Sequence, residues 1–156
     1  MLGSTALSTR RLSLAVGAAV LAVDQLVKWW VVKTLPGDPI VVIEGFFQLR
    51  YVTNFGAAFS LLDGRGSIVA LVAVAAAVFI FLVARRVERR GEAVALGLVL
   101  GGALGNLMDR VFRGEGLLDG GVVDFVDFSF FPAFNVADAA ITVGAALALW
   151  FAFVKR

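Results

Sequence analysis

Two aspartates stand out for the chemistry they can do together: Asp124, in Val122-Val123-Asp124-Phe125, and Asp138, in Phe134-Asn135-Val136-Ala137-Asp138. Two carboxylates held close cannot both ionise easily, so one keeps its proton. The ionised one can take a proton from water while the other protonates a carbonyl oxygen. That is peptide hydrolysis, and it needs one carboxylate on each side of the scissile bond, supplied from different segments. Few other routes are open. The chain has no histidine and no cysteine, which excludes a Ser-His-Asp triad, a histidine-based zinc site and a thiol nucleophile. Nothing in it calls for a metal or a cofactor.

Other polar groups compete for the same role. Asp24 has Lys28 at i,i+4, on the same helical face, and reads as an ionised structural pair. Asp109 adjoins Arg110, with Arg50 a further expected neighbour, and again reads as structural. Asp127 follows Asp124 in an extended segment that is expected to bring both to one face, so spacing leaves the choice between them open. Glu115, Asp119 and Arg113 lie in a glycine-rich stretch and are expected to be solvated. Lys28 with Ser60 would make a Ser-Lys dyad, which no local pattern supports.

The elements that position these groups are membrane elements. Of 156 residues, 60% are apolar and 17% charged, against roughly 45–50% and 25% in a soluble domain. Mean hydropathy is +0.93. Four stretches suit transmembrane helices of about 20 residues: 12–32, 66–84, 93–112 and 132–154. Arg10 and Arg11, then Arg85, Arg86, Arg89 and Arg90, then Lys155 and Arg156 flank the spans on one side, which puts both termini in the cytoplasm. The net charge of +2 is explained by orientation rather than by nucleic acid. Within the spans the polar residues gather at the outer end: Asp24 and Lys28 in the first, Asn106, Asp109 and Arg110 in the third, Asn135 and Asp138 in the fourth. Intramembrane ionisable groups face a bundle interior or a watery cavity. With Pro132 in the first turn of the fourth span, Asp138 would lie roughly 9 Å deep.

The first span is too long for an ordinary signal-peptide core and carries Asp24 and Lys28, so a retained helix is expected. The outer loops are 34–65 and 113–131. In the first, Ile40 to Ile43 and Phe46 to Thr53 suit short strands, and Phe55 to Leu62 suits a short interfacial helix. Gly97, Gly101 and Gly105 form a small-residue stripe, read as packing within the chain rather than dimerisation.

On these motifs the chain resembles the lipoprotein signal peptidases (signal peptidase II), membrane aspartyl peptidases of bacteria. Five segments carry the likeness in order: Asp24-Gln25-Leu26-Val27-Lys28, Asn54-Phe55-Gly56-Ala57-Ala58-Phe59-Ser60, the run from Gly102 through Asn106 to Asp109-Arg110, Val122-Val123-Asp124-Phe125, and Phe134-Asn135-Val136-Ala137-Asp138. The resemblance implies an all-α integral membrane protein, one domain over 1–156, with four transmembrane helices, a small extracytoplasmic β-cradle and a short interfacial helix. It implies cleavage of the signal peptide from diacylglyceryl-modified prolipoproteins, before the lipidated cysteine. It assigns catalysis to Asp124 and Asp138, and substrate binding or support to Asp24, Lys28, Asn54, Asn106, Asp109, Arg110 and Asn135. It further implies a monomer in the bacterial inner membrane, in contact with membrane lipid, with its active site at the outer face and sensitive to globomycin-type inhibitors. The stretch from Phe112 to Gly121 is longer than the family's usual connection. The competing class is a proton-coupled transporter using buried aspartates. It would need charges along a path through both leaflets, and here they stop at the outer end.

Overall fold

The computed structural model describes residues 2–55, 71, 74, 75, 78, 80–83, 87–116 and 118–154, with side chains described from residue 7 onward. Three helices in it are long and apolar enough to cross a membrane: Leu7–Thr34 within α1 (Leu2–Thr34), α2 (Arg90–Phe112) and α3 (Val136–Phe153). The described residues of 71–83 are helical as well, and Ile80 and Phe81 pack against Leu100 and Ala103 of α2. Most of the expected span 66–84, and the expected interfacial helix beyond Phe55, lie outside the described residues.

Helix α2 is the centre of the bundle and packs on both α1 and α3. Lipid offers no hydrophobic drive between helices, so close backbone approach through small residues has to supply the contact. The glycine stripe does this on the α1 side. A Cβ at Gly101 would sit 2.5 Å from the Gly17 carbonyl oxygen, and one at Gly97 would sit 2.6 Å from that of Ser13. On the other side Gly102 meets the Ala137 carbonyl, and Gly144 of α3 comes against the Ala95 carbonyl. The stripe is therefore filled by helices of the same chain.

Four antiparallel strands in the order β1 (Ile40–Ile43), β2 (Phe47–Asn54), β3 (Val122–Phe128), β4 (Phe131–Phe134) form one sheet over the end of the bundle. Gly45, at φ 69°, makes the turn between β1 and β2. Phe46, Phe47, Phe128, Phe130, Phe131 and Phe134 stack at the hairpin ends. Val123 and Phe125 of β3 bury against Val31 and Leu35 at the end of α1. This contact seats the sheet on the bundle.

The structure corrects the expected elements in two places. Residues 113–131 are not simply a loop, because β3 runs through them and pairs along β2. The expected helix over 132–135 does not form. Pro132 sits in β4, and the helix begins at Val136 because Asn135 caps it: the Asn135 side chain accepts from the Asp138 amide while the Asp138 carboxylate accepts from the Asn135 amide. Asp138 is thus the third helical residue, about 4.5 Å from the helix start. The fold is a helical membrane bundle with a four-stranded sheet rather than a purely helical one.

Candidate active site

The first turn of α3 leaves backbone amides without helical partners, in a setting with little water to satisfy them. Two side chains resolve this. Asp24 Oδ1, from α1, accepts from the Ala137 amide at 2.9 Å. Asn135 Oδ1 accepts from the Asp138 amide at 2.9 Å. Capping the helix therefore also gathers three polar residues at one point.

Asn135, fully buried, joins the two aspartates. Its Nδ2 donates to Asp124 Oδ1 at 2.6 Å and to Asn106 Oδ1 at 3.1 Å. Its backbone amide donates to Asp138 Oδ2 at 3.2 Å. Asn106 Nδ2 donates to Asp138 Oδ1 at 2.8 Å, and Asn54 Nδ2 donates to Asp124 Oδ2 at 3.0 Å. Each carboxylate thus accepts two hydrogen bonds, and a single asparagine touches both. Asp124 is buried at 2% exposure, whereas Asp138 is partly exposed. Burial pushes Asp124 up to about 6; the hydrogen bond from Asn54 opposes this and the charge of Asp138 adds to it.

Behind the pair lies a buried ion cluster. The Lys28 ammonium donates to Asp24 Oδ2 at 2.9 Å, Asp109 Oδ2 at 2.8 Å and Asn106 Oδ1 at 2.9 Å, which uses its three protons. Asp109 Oδ2 also accepts from the Val123 amide at 3.1 Å, one residue before Asp124. Arg110 is buried and its Nη1 reaches the Phe55 and Gly120 carbonyls, both at 3.4 Å. All nine residues named from sequence therefore meet in one region, where α1, α2, α3, β2 and β3 converge.

Some expectations on the competitors change. Asp24 and Lys28 form the ion pair that their spacing indicated. Asp127 does not share the Asp124 site. Asp127 is three positions after Asp124, and at that odd spacing the two-residue period of a strand turns them to opposite faces, contrary to the expectation of a shared one. Asp127 is opposite Gln48 in the register and pairs with Arg50 at 2.5 Å, a hydrogen bond that holds its carboxyl below the usual range. Arg50 is therefore not a partner of Asp109. Arg113 is exposed in the bend after α2, as expected, but it also reaches inward: its Nε donates to Asp109 Oδ1 at 2.7 Å. Asp119 does stay in its loop, where it accepts from the Gly116 amide. Ser60 lies outside the described residues, and Lys28 is committed to the ion cluster. Two participants had no assigned role from sequence. One is Arg113, which its i,i+4 spacing from Asp109 marked. The other is Gln25, whose Nε2 touches Asp24, the Gly105 carbonyl and Asp109. Among the described residues no group of three carboxylates is arranged to hold a metal ion.

A cavity of about 580 Å³ opens beside Asp138, between β4 and the outward side of α3. Asn54, Asp138 and Thr142 are its polar residues, and Phe131, Phe134, Ile141 and Val143 give it an apolar wall. A long apolar ligand can lie there with a polar bond presented to Asp138.

Residues 16–154 match the family described as Signal peptidase (SPase) II. The chain is 45% identical over 151 residues to a lipoprotein signal peptidase of Mycobacterium avium (strain 104), covering 93% of this chain and 83% of that one. It is also 45% identical over 139 residues to one of Rhodococcus jostii (strain RHA1), covering 88% and 70%. Two solved structures of bacterial membrane enzymes superpose with TM-scores of 0.76 and 0.73. They are 30% and 32% identical, and the matches cover 92% of this chain and 93% and 87% of theirs. The chain belongs to the signal peptidase II family.

Proposed function

We propose that this chain is a membrane aspartyl endopeptidase that removes the signal peptide from diacylglyceryl-modified prolipoproteins, cutting before the lipidated cysteine. The observation that carries the reading is the Asn135 bridge between Asp124 and Asp138. Family membership supports the substrate class.

The mechanism follows from what each group can hold. The pair shares one proton, a property of both carboxylates together. The ionised member draws a proton from an attacking water while the protonated member gives its proton to the carbonyl oxygen. The tetrahedral centre then collapses as the nitrogen of the lipidated cysteine takes up a proton from the pair and leaves. Asn54, Asn106 and Asn135 fix the two carboxylates by hydrogen bonds, so little reorganisation is needed during the reaction. The apolar cavity supplies binding through buried area at roughly 25 cal/mol per Å², and an anchored substrate reaches it sideways through lipid.

The same reading includes a fourth span within 66–84, both termini in the cytoplasm and the dyad at the outer face. The protein acts as a monomer in contact with lipid, and globomycin-type peptides occupy the substrate's place. Supporting the orientation is the placement of Arg10, Arg11 and Arg89 away from the sheet end. The test is cleavage of a lipid-modified precursor by the detergent-solubilised protein. Asp124→Asn and Asp138→Asn should each abolish cleavage at normal membrane levels, and globomycin should inhibit the parent protein. Cleavage by either variant at the parent rate would end the dyad assignment.

A further inference from the structure

The Lys28 ammonium serves three acceptors, two of them carboxylates. Asp24, Lys28 and Asp109 together carry one excess negative charge in a buried site, all at 1% exposure or less. An unbalanced buried charge is costly and draws the nearest cation toward it. Two arginines oppose it: Arg110, buried and next to Asp109 in the chain, and Arg113, which is exposed on its outer side but makes the direct contact. Arg113 is the C-cap residue of α2, its backbone amide donates to the Asp109 carbonyl at 2.9 Å, and its Nε donates to Asp109 Oδ1 at 2.7 Å. Gln25 Nε2 also reaches that oxygen, at a longer 3.4 Å and shared with two further acceptors. With Oδ1 held, Asp109 presents Oδ2 to both Lys28 and the Val123 amide. Lys28 keeps its third proton for Asn106 Oδ1. That contact orients the Asn106 amide so that its Nδ2 faces Asp138.

We propose that Arg113 is a positioning residue for cleavage: its guanidinium neutralises and orients Asp109, so that Lys28 can hold the Asn106 amide toward Asp138 and the Val123 amide can hold the strand that carries Asp124. Arg113 touches neither member of the dyad and does not line the apolar cavity. Its effect should therefore appear in kcat and in the pH dependence, with KM unchanged. The charged groups facing this path are Asp24 and Lys28 from α1, Asp109 and Arg110 from α2, Asp124 from β3 and Asp138 from α3. The Arg50–Asp127 pair belongs to the other end of β3. Removing the Arg113 charge makes the field behind the dyad more negative, so the dyad holds protons more tightly and both limbs of the pH–rate profile move to higher pH.

The inference rests on the proposed cleavage reaction, and the experiment keeps the two apart. Full-length Arg113→Gln and Arg113→Lys are compared with the parent protein on a lipid-modified prolipoprotein in detergent, per mole of folded enzyme, alongside Asp124→Asn. Arg113→Gln should lower kcat about tenfold, leave KM within twofold, and shift the profile upward on the order of half a pH unit. Arg113→Lys, which keeps the charge and a donor, should return kcat to within about twofold of the parent and restore the profile. The proposal fails if Arg113→Gln retains the parent kcat. It also fails if kcat falls with an unshifted profile, or if Arg113→Lys behaves like Arg113→Gln. Activity in Asp124→Asn would instead overturn the cleavage mechanism and leave the role of Arg113 in the ion cluster standing.

Discussion

Asn135 both caps a helix and couples two carboxylates, and one pair of substitutions separates these roles. In Asn135→Ala three side-chain hydrogen bonds are lost: to Asp124 Oδ1, to Asn106 Oδ1 and from the Asp138 amide. Loss of an N-cap costs typically about 1 kcal/mol. Stripping a buried carboxylate oxygen of its 2.6 Å donor adds roughly 1.5–3 kcal/mol. The sum is about 3 kcal/mol, and at roughly 2–4 °C per kcal/mol for a chain of this size the melting temperature should fall by about 10 °C. Cleavage should fall at least about a hundredfold, since a displacement on the order of 1 Å of a reacting group suffices for that. Asn135→Ser keeps an acceptor for the Asp138 amide but offers one short O–H in place of two N–H donors. It should recover about 1 kcal/mol of stability and little of the activity. The assays are thermal unfolding in detergent and cleavage of a lipid-modified precursor below the melting range. Should either variant cleave within about threefold of the parent rate, the bridge is not what brings the dyad into register, and the reasoning fails.

Two further outcomes follow from the structure. Burial holds Asp124 at about 6 in the folded protein, above its unfolded value, so the folded state binds the extra proton between about pH 4 and 6. Its contribution to stability is present below about pH 4 and is lost as the pH rises through 6, at most about 3 kcal/mol. The melting temperature of the parent should therefore drop relative to that of Asp124→Asn over that interval, and a constant difference from pH 4 to 7 would contradict the burial argument. At the α1–α2 crossing, Gly101→Val would drive a branched side chain against the Gly17 carbonyl. About 1–3 kcal/mol of destabilisation is expected, read as a lower melting temperature, and an unchanged value would show that α1 can move away freely.

Much of the site was legible in the linear chain because its residues are expensive where they stand. Asp24, Lys28, Asn106, Asp109, Arg110, Asn135 and Asp138 interrupt apolar stretches in which a lone charge has no partner. Each therefore had to meet another, and their shared position at one end of the spans indicated where. The strands β1 and β2 were also visible, from β-branched and aromatic runs bounded by turn residues. Strand β3 was not. Val122 to Phe128 lacks a clear alternation, being buried along its first half, and its conformation depends on Val31 and Leu35 beneath it and on β2 beside it. The start of α3 was misplaced for a related reason. Proline at 132 suits a helix start or an edge strand equally, and pairing of β4 with β3 decided it.

The sequence by itself determined the solvent, the apolar spans, the gathering of charge at one end of them, and the shortage of any hydrolytic group other than a carboxylate. These are local properties, set by what each residue costs in lipid. Only the tertiary structure decided that Asn135 spans Asp124 and Asp138 and that Arg113 reaches the ion cluster. Such assignments depend on strand register and on the approach of three helices through small residues, and neither can be read from neighbours along the chain.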